Sequence, residues 1–311
     1  MKSFHLFRRT TGLNTIRDPA ELVYDPATAT VELAIAVNVD VERSGRRKSR
    51  RKGRTLLQAG EFHSGFPVGS QILCVQEYPT WASLFLFDPQ SNAFTGIRSG
   101  LSKHRFTAYC DVNQQVYYSN GVENGIYANG VSAAWAMQAY SGPDTDLEFY
   151  DPPVASIIAV MGGFMMLAEG PIIWISEEFD YAAYNLANRY LDLVDDVTMI
   201  APVADGAWVG TRKETLFMAG TTPALWQVAI RMAGGVRERS RSHRLITGTE
   251  LGFDKVSANG YTWISDYGVC WGGPGGQIIN LTEKRIHNAD LAGVSGYCQL
   301  VGSRLIASID P

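Results

Sequence analysis

The chain has 311 residues, 46% hydrophobic, 19% charged and 11% aromatic, with 31 glycines and a formal net charge of −4. This composition excludes a disordered chain and a coiled coil, and the length suits either two ordinary domains or one large all-β barrel or propeller.

Residues 1–30 are polar, hold Pro19 and Pro26 and show no sustained period, so they are expected to form an extended N-terminal arm of the kind that reaches a neighbouring subunit. The first nine residues have neither an apolar core nor a small-residue cleavage site, so no secretory signal is expected and assembly should occur in a cytoplasm. Two strands, at 35–41 and 54–58, flank a basic turn made of Arg43, Arg46, Arg47, Lys48, Arg50, Arg51, Lys52 and Arg54. Setting these eight cations aside leaves 19 basic against 31 acidic residues, a balance of −12 for the rest of the chain.

From there onward short β-branched or aromatic runs alternate with Gly/Asn/Asp turns, the pattern of antiparallel strands. The runs fall at 72–76, 84–87, 106–110, 115–119, 125–128, 157–161, 164–168, 172–176, 207–211, 216–219, 260–265, 268–272, 277–281, 297–301 and 304–309. Between them Asn120-Gly121, Asn124-Gly125, Asn129-Gly130, Gly162-Gly163, Asp205-Gly206, Asn259-Gly260 and Gly275-Gly276 read as tight turns. A short helical insertion is expected within 177–190, where Phe179, Tyr181, Tyr184 and Leu186 sit among helix-compatible residues. The longest apolar stretch, 153–167, is broken by a glycine pair and falls short of the roughly 18 residues of a membrane helix, so no membrane insertion is expected.

Grouped by turns, the strands form units near 63–100, 102–140, 152–194, 196–244 and 246–288, about the length of a four-stranded propeller blade. Pairing strands from 31–60 with those from 292–311 would make a sixth, split closing blade and remove exposed sheet edges. The expected fold is therefore all-β, a β-propeller of six four-stranded blades over 31–311 behind the arm of 1–30; a pair of sandwiches is the alternative.

Candidate chemistry is sparse. His63 and Ser64 are adjacent, and in a regular strand neighbouring side chains point to opposite faces, so no nucleophile–base pair is expected and His63 should pack or turn. The histidines stand about 40 residues or more apart, no C-x-x-C occurs, and Cys74, Cys110, Cys270 and Cys298 sit beside strand residues as buried free thiols, so neither a metal nor a cofactor is expected. Asp144, Asp146 and Glu148 read as a solvated loop face. Gly272 to Gly276 lacks the Lys-Ser/Thr ending of a P-loop and reads as a hairpin turn. A glycosidase would draw its two carboxylates from Glu177, Glu178, Asp195, Asp196 and Asp266, but Ser265-Asp266-Tyr267-Gly268 only superficially matches the structural box of sialidases, and no enzyme is expected.

The basic run is the strongest signal. Eight cations in twelve residues raise a local potential suited to an acidic neighbour or to transient, non-specific contact with phosphate, which carries no sequence information. A second cluster, Arg237, Arg239, Arg241 and Arg244, suits a subunit contact or the same polyanion.

Several passages together resemble the β-propeller tail-tube or nozzle proteins of short-tailed bacteriophages, relatives of the packaged-DNA stabilisation proteins. They are Gly12-Leu13-Asn14, Ala36-Val37-Asn38-Val39-Asp40, Ser44-Gly45-Arg46, Arg51-Lys52-Gly53-Arg54-Thr55-Leu56 and His63-Ser64, then 176–193, 200–220, Trp263-Ile264-Ser265, Tyr267-Gly268-Val269 and 276–282. The resemblance implies a virion structural component, assembled as a homo-oligomeric ring, commonly of six copies, between portal-proximal adaptor and tail fibre proteins, that conducts or retains the genome. A carbohydrate-active or receptor-binding propeller at the bacterial surface is the alternative.

Overall fold

The computed structural model describes residues 9–18, 20, 22, 24–25, 30–34, 39–41, 48–50, 56–138, 147–252, 257–283, 286, 290, 293, 295–301 and 304–310. Turn chemistry builds the hairpins. Asn129 and Gly130 take φ of 50° and 84°, and Gly162 and Gly163 take 57° and 84°, the paired positive values whose twist matches two antiparallel strands.

Consecutive hairpins add up to antiparallel sheets in chain order. Sheet I contains Glu61–Val68, Gln71–Glu77, Ala82–Asp88 and Ala93–Leu101; sheet II contains Ala108–Val112, Gln115–Ser119, Asn124–Ala128 and Val131–Ala133. Sheet III contains Ile157–Met161, Phe164–Glu169, Ile172–Glu177 and Asp180–Tyr184, with Tyr190–Asp192 also pairing to its third strand. Sheet IV contains Val197–Val203, Gly206–Thr211, Glu214–Ala219 and Gln227–Ala233; sheet V contains Ile246–Thr247, Asn259–Ser265, Gly268–Gly272 and Ile278–Asn280. A hairpin of Ser295–Val301 and Arg304–Asp310 follows. The chain is all-β and its succession of four-stranded meanders is consistent with a β-propeller.

What holds the sheets together is a hydrophobic layer between each and the next. Leu73, Val75 and Leu84 of sheet I meet Tyr109, Val116 and Tyr118 of sheet II. Tyr117, the residue between the last two and so on the opposite face, packs with Ile158, Met165 and Leu167 of sheet III. Met166 and Ile175 then meet Ile200, Val209 and Leu216 of sheet IV, whose Trp208 and Phe217 meet Trp263 and Cys270 of sheet V. Ile264 and Val269 pack in turn on Cys298 and Leu305 of the last hairpin. Because both faces are covered, central strands such as Phe164–Glu169 and Gly206–Thr211 are apolar nearly throughout.

Three expectations need correction. No helix forms within 177–190: Phe179, at φ 58°, turns the chain, and Asp180–Tyr184 pairs back on Ile172–Glu177, burying Ala183 and Tyr184. Sheet burial outweighs a weak helical preference there. Asn124-Gly125 and Asn259-Gly260 are not turns but parts of strands: at Gly125 the missing Cβ admits the Tyr118 hydroxyl, and Asn259 and Gly260 pair with Thr247 and Ile246. Within the stretch expected to be an extended arm, Arg9–Leu13 pairs in parallel with Thr30–Leu33 and Tyr24–Asp25 pairs with the same strand, so these described residues fold on each other. Thr15 Oγ1 donates to Asp290 Oδ2 at 2.6 Å, which ties the two ends of the chain.

Sheets IV and V meet closely, and a Cβ on Gly272 would press into the Trp263 ring and lie 2.7 Å from Trp208 Nε1. Gly272→Ala is expected to destabilise the protein by about 1–3 kcal/mol through overpacking, read as a lowered urea midpoint with unchanged m.

Candidate functional site

A half-open cavity of about 940 Å³ has Glu169 and Arg212 in its wall and is lined mainly by six segments, 63–67, 104–109, 156–158, 196–200, 238–243 and 296–299. These are the leading edges of successive sheets, and the first strands of sheets II, III and IV, then Asn259–Ser265 and Ser295–Val301, lie side by side in that order. The cavity therefore runs along the axis on which the sheets converge.

Segment 236–243 is the least regular of the six. It adds to sheet V beside Asn259–Ser265, with Arg237 N–H donating to Ile264 O at 2.9 Å and Ser242 N–H to Thr262 O at 2.8 Å. Two fully buried hydroxyls stand in for missing backbone groups: Ser240 Oγ accepts from Ile264 N–H at 3.0 Å and Ser242 Oγ from Thr262 N–H at 3.1 Å. With the serines turned to the sheet, Arg239, Arg241 and His243 line the cavity. Arg239 has φ 63°, and its guanidinium lies 4.4 Å over the Phe106 ring of the segment leading into sheet II. Arg241 donates to Ile200 O of sheet IV at 2.7 Å. The sequence signal for this strand, Ser and Arg alternating with period two, was present but reads as a charged cluster.

The leading strand of sheet I is bulged between His63 and Phe66, and Ser64 takes φ 53°. This reverses the expectation that His63 and Ser64 point apart: Ser64 Oγ is 2.7 Å from His63 Nδ1 and accepts from Thr107 N–H at 2.9 Å. The alternation rule fails because the bulge and the positive φ swing Ser64 toward its neighbour. On the other side of the ring, His63 Nε2 lies 3.3 Å from Glu77 Oε1, off the hydrogen-bonding axis, and His104 Nδ1 lies 3.1 Å from Glu77 Oε2. Burial pushes the His63 imidazole below its ordinary value, against the pull of Glu77. Ser64 is 4% exposed and bonded to the incoming strand of sheet II, so the arrangement works as a clamp between sheets I and II.

Carboxylates repeat this clamping. Glu77 accepts from His104 N–H at 2.8 Å, Glu123 from Ser102 N–H at 3.1 Å and Asp266 from Gly235 N–H at 2.6 Å, each pinning a connection between sheets. Burial works to raise the Glu123 pKa, but hydrogen bonds from Ser102 and Asn120 outweigh it and hold the group low. Other buried oxygens differ. The Thr107 and Tyr109 hydroxyls bond to each other, while Thr198 Oγ1 and Glu169 Oε2 are buried without a partner among the described residues, a situation that costs about 1–3 kcal/mol per group. Thr198 is the extra residue of a second bulge, between Val197 and Met199.

Charge in the wall is nearly balanced. Arg212 lies 3.3 Å from both Asp196 and Glu238. Of the second basic cluster, Arg237 pairs with Asp266 at 2.7 Å and Arg244 with Glu250 at 2.9 Å, holding Glu250 at about 2, while Arg239 and Arg241 face the cavity. Of the first basic run, Lys48–Arg50 forms a strand paired with Val39–Val41, whereas Arg43, Arg46, Arg47, Arg51, Lys52 and Arg54 lie outside the described residues. Among the carboxylates considered for glycoside hydrolysis, Glu177 is paired with Arg189 at 2.9 Å and Asp266 with Arg237, while Glu178 is exposed. The four cysteines are free; burial pushes Cys74, Cys270 and Cys298 up to about 11 and Cys110 up to about 12, so they are poor nucleophiles. Asp144 and Asp146 lie outside the described residues.

No family model matches the chain, and no curated protein does. Among solved structures it is similar to a protein from Lactobacillus plantarum (8% identity, 78% of this chain and 75% of that chain, TM-score 0.48). It is also similar to the AfRom2 CNH domain (12% identity, 79% and 69%, TM-score 0.40). A third is the extracellular domain of a B. thetaiotaomicron protein described as a hybrid two component system (6% identity, 86% and 32%, TM-score 0.48). Likeness this distant carries no argument about function.

Two outcomes follow from the clamp. Ser64→Ala leaves the Thr107 N–H buried and unpaired and should cost about 1–3 kcal/mol in chemical denaturation. Because the folded protein holds His63 below the 6.5 of the unfolded chain, the unfolded state binds the proton first as pH falls, and stability should drop below about pH 6.5. His63→Gln should flatten that slope in unfolding curves taken between about pH 7.5 and 5, His243 supplying the residual dependence.

Proposed function

We propose that the chain is a non-enzymatic structural subunit of a bacteriophage tail, a nozzle or tail-tube component that assembles into a ring of copies and conducts or retains the genome. Its body is read as six blades, the sixth closed by strands from 31–60 against the hairpin Ser295–Val301 and Arg304–Asp310. The observation that carries this reading is the use of ionisable groups as joints. Glu77, Glu123 and Asp266 pin links between sheets, and two of the five acids considered for glycoside hydrolysis, Glu177 and Asp266, are held by arginines. Such a build suits a part that bears load.

The passage for a genome would lie between chains, not within one. A cavity of about 940 Å³ is of small-molecule size, whereas the major groove of B-DNA alone is about 12 Å wide. The basic run of Arg43 to Arg54 then serves to grip an acidic neighbour, since the remainder of the chain carries −12 and subunits of one kind repel without it.

Reversing the charge of Arg46, Arg47, Arg50 and Arg51 should abolish ring assembly or docking, measured by light scattering and imaging of particles. A stable monomer that hydrolyses a glycan, with activity lost in Glu177→Gln or Asp266→Asn, would replace this reading by the carbohydrate-active one. Normal particles with altered DNA retention alone would move the basic run to the lumen.

A further inference from the structure

Charge is not spread evenly along the succession of sheets. Residues 106–211 span sheets II and III and the first two strands of sheet IV, and they hold 14 acidic residues against one basic residue, Arg189, a balance of −13. The other residues carry 26 basic against 17 acidic, a balance of +9. A body so divided has a negative flank.

That flank ends in a rim that mixes acids with exposed tyrosines. Tyr150 pairs with Tyr184 at the outer edge of sheet III, and Tyr184 pairs with Ser176. Tyr190 pairs with Trp174, two residues along the same strand as Ser176. Both tyrosines are exposed, as are Leu147, Glu148, Asp151 and Asp192 in the same two segments. The Tyr150 hydroxyl bonds to Glu148. Glu177 and Asp196 of the same flank pair with Arg189 and Arg212, whereas Glu148 and Asp192 form no ion pair with a described cation. An exposed phenol face beside an unpaired carboxylate suits a guanidinium, which stacks on the one while it bonds to the other.

The chain carries a segment of matching chemistry. Val39–Val41 and Lys48–Arg50 form an antiparallel hairpin; in sequence Arg43, Arg46 and Arg47 lie in its connection, and Arg51, Lys52 and Arg54 follow it. In the six-blade body proposed above this hairpin belongs to the sixth blade, three places from sheet III in either direction. Hairpin and rim then lie on opposite sides of one copy and meet only between copies.

We propose that the outer rim of sheet III, at Glu148, Tyr150, Tyr190 and Asp192, is the docking surface for the basic hairpin of a second copy of this chain, so that copies join head to tail. The inference rests on the ring reading above and adds which faces meet. Each copy uses both surfaces once, and such a contact closes into a ring when the rotation between copies allows.

The test mixes two full-length variants, each broken on one side, and follows them by sedimentation velocity. Glu148→Arg with Asp192→Arg removes the rim; Arg46→Glu, Arg47→Glu, Arg50→Glu and Arg51→Glu together remove the hairpin's charge. The wild type should assemble beyond the dimer, and each variant alone should stay monomeric. An equal mixture should give a dimer and nothing larger, because one intact contact remains. The rim variant alters only exposed positions, so its circular dichroism should match that of the wild type. Raising salt from about 0.1 to 0.5 M should weaken wild-type assembly at least about tenfold, since exposed charges are screened. Wild-type rings that persist in the rim variant, or a mixture of the two monomeric variants that stays monomeric, overturn this docking surface and leave the ring reading standing. A wild-type chain that stays monomeric, or stops at the dimer, overturns the ring reading and this contact with it.

Discussion

Every sheet between the first and the last packs on two neighbours, and the rest of the molecule follows from that. A strand whose alternate residues face two different hydrophobic layers has no wet side, so polar groups are forced to its ends and to the axial edge. Tyr117 and Tyr118 show the consequence at single-residue scale, one packing toward sheet III and the other toward sheet I. The turns, the links between sheets and the axial strands then carry nearly all of the charge that matters.

At those links the protein uses carboxylates as acceptors for backbone N–H groups. Glu77, Glu123 and Asp266 do the same work in different sheets, although they share no sequence context. A charge-assisted bond to a backbone donor is stronger than a neutral one and holds the link at one point, which fixes the angle at which the next sheet leaves. Ser64 performs the task with a hydroxyl, and Ser240 and Ser242 perform it for the irregular axial segment.

The axis itself is asymmetric. Segment 236–243 leans in with Arg239 and Arg241, and reaches sheet II through the Phe106 ring and sheet IV through Ile200. A regular strand in that position would have placed its arginines evenly along a wall. The positive φ at Arg239 and the serines turned to the sheet bring the guanidiniums onto specific partners instead. The charges of the second basic cluster are thereby consumed within the chain or held at the cavity, leaving the run of Arg43 to Arg54 as the place where basic charge is concentrated in sequence.

Strand and turn positions were legible in the sequence because they are local. The run 115–119, for instance, is a strand with those bounds, and Asn129-Gly130 and Gly162-Gly163 turn as their φ preferences dictate. The length of each unit was legible for the same reason. The reading went wrong where a distant contact sets the conformation: 177–190 pairs with a strand instead of coiling, Gly125 makes room for Tyr118, and the bulge at Ser64 turns two adjacent side chains together. The cavity belongs wholly to that second kind. Its wall draws on six short segments and on residues outside them, such as Glu169 and Arg212, and the Thr198 hydroxyl is left without a partner only when these converge. Local chemistry determined what the elements are, and long-range packing decided what they face.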